Sequence, residues 1–276
     1  MSDTKNNYKV SLGLKDHYVI CNWSNIGDSI IRQLHDTSLE RINSVSPIII
    51  ITDKPERIPN NLDKEYEGVL VIIGDPATQS ILKRAEIEKA RSVLILAEDD
   101  ESDKADNKST MIALAVDSIC SSVHTVVEIM NSKNKLYLKY TNADEIVCVE
   151  EIGGNLLAQS AMTPGISKVY MDLLTQSESS EFYQVDIPDT YLNHSYSEFK
   201  NKIFSKQELE VILVGFITIE SKMADDGSAI INGHGNERME QKVYINPNNQ
   251  EAKHKFIKGD QVIVIAYDKP DFSGII

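Results

Sequence analysis

Two periods alternate through the first half of the chain. Short apolar runs rich in β-branched residues fall at 17–21, 48–52, 69–73, 92–97, 125–130 and 145–149. Runs that are apolar on consecutive positions suit strands buried on both faces, as in a parallel sheet. Between them, 26–35, 78–84, 105–119 and 132–140 place apolar residues at helical spacing. Parallel neighbours need a crossover, so strands alternating with helices predict a doubly wound α/β sheet.

A longer helical stretch follows over 153–174, and Thr163-Pro164-Gly165 interrupts it. Proline removes an amide donor and pushes the preceding residue out of helical angles, so the helix breaks or kinks there. Leu156, Leu157, Ala161, Ile166, Val169, Tyr170, Leu173 and Leu174 exceed what one face against a finished sheet requires. This predicts a crossover helix that packs on something else, a second subunit being the candidate. The serine-rich, polar stretch 176–181 reads as a linker. Beyond it, 182–187, 211–218, 243–246 and 261–267 read as strands and 196–204 as a short helix. The glycine-containing segment 223–235 reads as a hairpin or loop. The expected organisation is a leader at 1–16, an α/β domain at 17–151, crossover helices and linker at 152–180, and a smaller α+β, mostly β, domain at 181–276.

Composition narrows the function. The chain of 276 residues carries a net charge of −14, which repels nucleic-acid backbones and anionic membrane surfaces. No apolar stretch reaches the ~18 residues that span a bilayer, so direct membrane insertion is not expected. Cys21, Cys120 and Cys148 are far apart in apolar runs, which predicts reduced, buried thiols in a cytoplasmic protein.

The chemistry-bearing residues cluster at strand ends. The first strand runs into Cys21-Asn22-Trp23-Ser24-Asn25-Ile26-Gly27 and then a helix, where a Rossmann-like fold places G-x-G-x-x-G. Only the third glycine, Gly27, is present. Asn22 tolerates the left-handed turn, Ser24 adds bulk where a phosphate would lie, and a helix N-terminus still offers amides to an anion. Asp53 ends the second strand, either placed for the ribose hydroxyls of an adenosine or an exposed turn residue. Asp75, after the third strand, is a helix-capping residue or a ligand contact. Glu98, Asp99, Asp100, Glu101 and Asp103 follow the fourth strand, as a solvated loop or as oxygen ligands for a hard cation. Glu128 lies inside an apolar strand, where an unpartnered carboxylate is costly, so a cation, a backbone amide or a ligand hydroxyl should satisfy it. No nucleophile elbow, HExxH or hydride-transfer acid is evident, so catalysis is not expected.

The segments HYVICNWSNIGDSIIRQL, IIIITDKPE, IGDPATQSILKRAEIEKARSVLILAEDD and TVVEIMNSKNKLYLKYTNADEIV together resemble the RCK domain (regulator of potassium conductance, also called KTN or TrkA-N). LLAQSAMTPGISKVYMDLL resembles that family's dimer-supporting crossover helix, and FYQVDIP, VILVGFI, INP and FIKGDQVIVIA resemble TrkA-C. The resemblance implies a regulatory module on the cytoplasmic side of the membrane. It would be a homodimer or an octameric ring, coupled to a potassium channel pore or to a transporter membrane subunit. The Asn22 and Ser24 form of the loop is similar to modules fused behind channel pores; free-standing transporter subunits keep the glycines and bind adenine nucleotides. The ligands implied are Ca²⁺ or another cation, or an adenine nucleotide (NAD, ATP, ADP or AMP). Nucleotide contacts would fall on Asn22, Ser24, Gly27, Asp53, Asp75 and Glu98. In the calcium-gated members, Glu128 matches a metal position while the others fall on apolar Leu96 and Met130, leaving Glu98 and Asp99 to complete a metal set.

Overall fold

The computed structural model describes residues 12–42, 45–98, 102–174, 180–206, 209–221, 223, 227–229, 237 and 239–273, without the side chains of 37–42, Asp63 and Ser102. The expected acidic residues Asp99, Asp100 and Glu101, and most of the 176–181 linker and the 223–235 loop, lie outside the described residues. The chain forms two compact units, 1–162 and 163–276.

The first unit runs β1 (Tyr18–Cys21), α1 (Gly27–Ile42), β2 (Ile48–Thr52), α2 (Leu62–Glu65), β3 (Val69–Ile73), α3 (Gln79–Arg84), β4 (Ser92–Ile95), α4 (Ser102–Ile119), β5 (His124–Ile129), α5 (Lys135–Leu138), β6 (Glu145–Cys148) and α6 (Val149–Met162). All six strands are parallel, in the order β3-β2-β1-β4-β5-β6. Strand β2 is buried throughout because neighbours flank it on both sides and helices cover both faces. Alternate residues serve opposite cores. Val19, Cys21, Ile49 and Ile51 meet Leu82, Ile112 and Leu138 on α3, α4 and α5. Ile20, Ile48 and Ile50 meet Ile31 and Leu62 on α1 and α2. Each such side chain contributes about 1.5–3 kcal/mol by leaving water.

The structure moves some expected boundaries. Helix α6 begins directly after β6, at Val149 rather than at 153. The 132–140 helix is a 3₁₀ turn, Ser132–Asn134, followed by the single turn of α5. Cys21 and Cys148 are buried, but Cys120 is only half-buried. Burial pushes the Cys21 thiol up to about 12, so it stays protonated near neutral pH.

The second unit holds α7 (Ile166–Leu174), β7 (Glu181–Asp186), α8 (Tyr196–Ser205), β8 (Val211–Ser221), β9 (Met239–Ile245) and β10 (Gln261–Ala266). Its strands form one antiparallel sheet, β7-β10-β8-β9. The break between α6 and α7 falls at Thr163-Pro164-Gly165, with Gly165 at φ +91°. A capping box starts α8: Ser195 accepts the Glu198 amide, and Glu198 accepts the Ser195 amide. Tyr196, Phe199 and Ile203 then pack with Val185, Phe216, Val262, Val264, Phe256 and Phe272.

At Gly215 the backbone of β9 approaches so closely that a methyl group would lie 1.9 Å from the Tyr244 carbonyl oxygen. Backbone cannot give way as a flexible side chain can. Gly215→Ala should therefore destabilise the second unit by about 1–3 kcal/mol or more, read as a lower midpoint in urea denaturation followed by tyrosine fluorescence.

Candidate functional site at the carboxyl edge of the parallel sheet

The chain reverses direction across the sheet between β1 and β4, and crevices at such points are where open α/β sheets take ligands. Asn22 leaves β1 at φ 67°, a left-handed conformation that asparagine tolerates better than other non-glycine residues. Its amide donates to the Ile51 carbonyl (2.8 Å), and the Leu96 amide donates to the Cys21 carbonyl (2.9 Å). The Asn22 side chain spans the divide, Nδ2 donating to the Leu96 carbonyl at 3.1 Å. Among the described residues its buried Oδ1 has no hydrogen-bond partner, and neither has the Ser24 hydroxyl. Two orphaned acceptors thus lie in the loop that leads into α1, where buried polar groups ordinarily find partners.

Gly27 opens α1 against the Trp23 ring. A methyl there would sit 2.8 Å from the indole, so the third glycine is needed for close packing. Trp23 is itself buried in the α1-side core. In the first turn, Asp28 holds Arg32 and the Tyr66 hydroxyl, each at 3.1 Å.

A charge cluster joins the ends of β2 and β4. Lys108 of α4 donates to Asp53 (2.9 Å) and to Glu98 (2.6 Å), and Lys54 pairs with the other Glu98 oxygen. Glu98 is nearly enclosed, its side chain 4% exposed. Burial pushes the Asp53 carboxyl up, but the Lys108 hydrogen bond and charge outweigh this and hold it below the usual carboxylate range. Lys108 is likewise opposed by burial and carried above the usual lysine range by Glu98 and Asp53.

The other expected residues fall nearby or apart. Glu128 is half-buried, and its Oε2 accepts the Ala97 amide at 2.9 Å, so a backbone amide supplies a partner. Asp75 forms a local turn, accepting the Ala77 amide at 2.9 Å, while Thr78 occupies the N-cap of α3. The structure therefore links Asp53 and Glu98 through Lys108, sets Asn22 on Leu96 and Glu128 on Ala97, and leaves Asp75 in its own turn. Asp99 lies outside the described residues, and no group of three metal-ligating side chains forms among those described.

Sequence reasoning missed three participants. Lys54 and Lys108 give no local signal, because their partners come from distant strand ends. Asp106 did leave one. It shares a helical stripe with Ser109, Ala113 and Val116, all buried, so a carboxylate there needs donors. It receives the amides of Met130 (2.7 Å) and Asn131 (3.0 Å) and the Asn134 side chain (2.6 Å), which fixes the loop after β5.

Lys108→Met should cost about 1.5–3 kcal/mol, the loss of charge-assisted hydrogen bonds to a buried carboxylate. Chemical denaturation should show most of that loss recovered in Lys108→Met/Glu98→Gln, where the buried charge is gone.

Comparison with known proteins places the first sheet. Residues 18–149 match the TrkA-N domain family. The calcium-gated potassium channel TvoK of Thermoplasma volcanium is 25% identical over 64% of this chain and 49% of its own length. The ion channel POLLUX of Lotus japonicus is 26% identical over 94% of this chain and 26% of its own length. The chain thus spans about half or less of these curated relatives. The human SLO3 gating ring shares the fold, with a TM-score of 0.62 and 15% identity over 91% of this chain and 44% of that one. The segment that matches the TrkA-N domain model holds all six strands of the β3-β2-β1-β4-β5-β6 sheet and the loop at Asn22–Gly27.

Proposed function

We propose that this chain is a cytosolic ligand-sensing module that regulates a potassium channel, with an adenine nucleotide read in the crevice between β1 and β4. The observation that carries the ligand class is the pair of buried, unpartnered acceptors, Asn22 Oδ1 and Ser24 Oγ, beside the N-terminus of α1. Nucleotide hydroxyls can donate to such acceptors, and the helix end favours the phosphates. Ser24, whose hydroxyl can also donate, and Gly27 form the phosphate side, Asn22 and Asp53 accept the ribose hydroxyls, and Glu98 holds Lys54 and Lys108; Asp75 lies at the margin. The channel names of TvoK and POLLUX support the regulatory role.

The second unit is read as a TrkA-C domain. Exposed apolar residues on α6 and α7, among them Ile152, Leu157, Met162, Val169 and Leu174, support pairing of two copies and assembly into a larger ring. Binding would act by population shift, limited by the ligand's differential affinity for the two arrangements of paired modules.

A cation is the second reading, because TvoK is named as calcium-gated. Glu128 with Glu98 and Asp99 would form that site. Against it, Glu98 already neutralises two ammonium groups and Glu128 already accepts an amide.

Thermal stability should decide between them. A nucleotide from the set NAD, ATP, ADP and AMP at ~100 times its dissociation constant should add about 2.7 kcal/mol, and Asp53→Ala should abolish most of that gain. Stabilisation by Ca²⁺ that disappears in Glu128→Gln, with none from nucleotides, would reverse the assignment.

A further inference from the structure

The second unit carries an apolar groove that its own core does not fill. Among the described residues, strand β9 pairs with the Gly215–Ser221 part of β8 and Asn246 donates to the Val214 carbonyl, so Val211–Leu213 have β10 on one side and no strand on the other. Facing that edge is the last turn of α8. Between them lies a groove of about 410 Å³, walled by Ile203, Phe204, Leu209, Val211, Ile212 and Leu213. Phe204 falls outside the buried stripe Tyr196, Phe199 and Ile203, and it is 85% exposed. Ile212, across the groove, is 65% exposed. Core packing explains neither residue.

The charge at this groove runs against that of the chain. Among the described residues, Lys200 and Lys206 complete the lining, no carboxylate contributes to it, and neither lysine has a carboxylate partner. Elsewhere acids dominate, giving a net charge of −14. An apolar slot of this size lies in the small-molecule range of roughly 300–1,000 Å³. Ammonium groups that meet no carboxylate among the described residues favour an anion at its rim.

We propose that this groove binds a monomeric single-chain anionic amphiphile, its alkyl chain between Phe204 and Ile212 and its carboxylate head at Lys200 and Lys206. The inference stands apart from the nucleotide reading, because no residue is shared.

The test is calorimetric titration of the whole chain with laurate below its micelle concentration, beside an uncharged alkyl glycoside of equal chain length. We expect saturable binding of one laurate per chain and at least tenfold weaker binding of the glycoside. Lys200→Gln/Lys206→Gln and Phe204→Ser should each weaken laurate at least tenfold; both act at the surface and leave the fold intact by circular dichroism. Absence of saturable binding, or binding that both variants preserve, would overturn the proposal. So would co-sedimentation with anionic vesicles without monomer binding, which would mark a membrane surface. Concentration-dependent dimers that Phe204→Ser abolishes, with no laurate bound, would instead make the groove a contact between copies.

Discussion

The first unit turns on how β1 parts from β4. Two parallel strands whose connections run in opposite directions leave a crevice beyond their ends, and the chain must leave β1 sharply to open it. Asn22 does this in a left-handed conformation, and its side chain then donates to the Leu96 carbonyl on the opposite strand. A glycine would make the same turn but leave that carbonyl without this donor. Asparagine trades backbone clearance for a bond that ties the two strand ends, and the bond leaves its own Oδ1 unsatisfied. The two strand ends are thus tied at the floor of the crevice by one side-chain hydrogen bond.

Electrostatics organise the rim. Glu98 is too enclosed to stand alone, and the lysines that satisfy it arrive from the β2 end and from α4. Lys108 also takes Asp53, so three segments of the chain depend on one ammonium. Glu128 and Asp106 fix the neighbouring loops by accepting backbone amides. Of the carboxylates that look like a cation site in one dimension, Glu98 holds two lysines and Glu128 accepts an amide. Their shared position follows from strand ends lying along one edge of the sheet.

The strands were legible because burial on both faces writes uninterrupted β-branched runs such as 48–52, and the loop at 22–27 because its place after β1 survives the loss of two glycines. The break at Thr163-Pro164-Gly165 was legible from proline geometry alone. Lys54 and Lys108 were not, since surface lysines carry no periodicity and their partners are set by topology. Glu128 stood out as a carboxylate in an apolar strand, but a sequence cannot say that the Ala97 amide is among its partners. Trp23 was passed over because its role, stacking where a Cβ on Gly27 would collide, depends on a three-dimensional contact.

The most direct measurement is backbone amide hydrogen exchange, with and without saturating ADP or NAD. A nucleotide in the β1–β4 crevice predicts slowed exchange over 22–28 and 96–97, with the strands of the second sheet unchanged. Exchange at those loops that no nucleotide alters, or protection confined to the second unit, would contradict a sensing site at the end of β1.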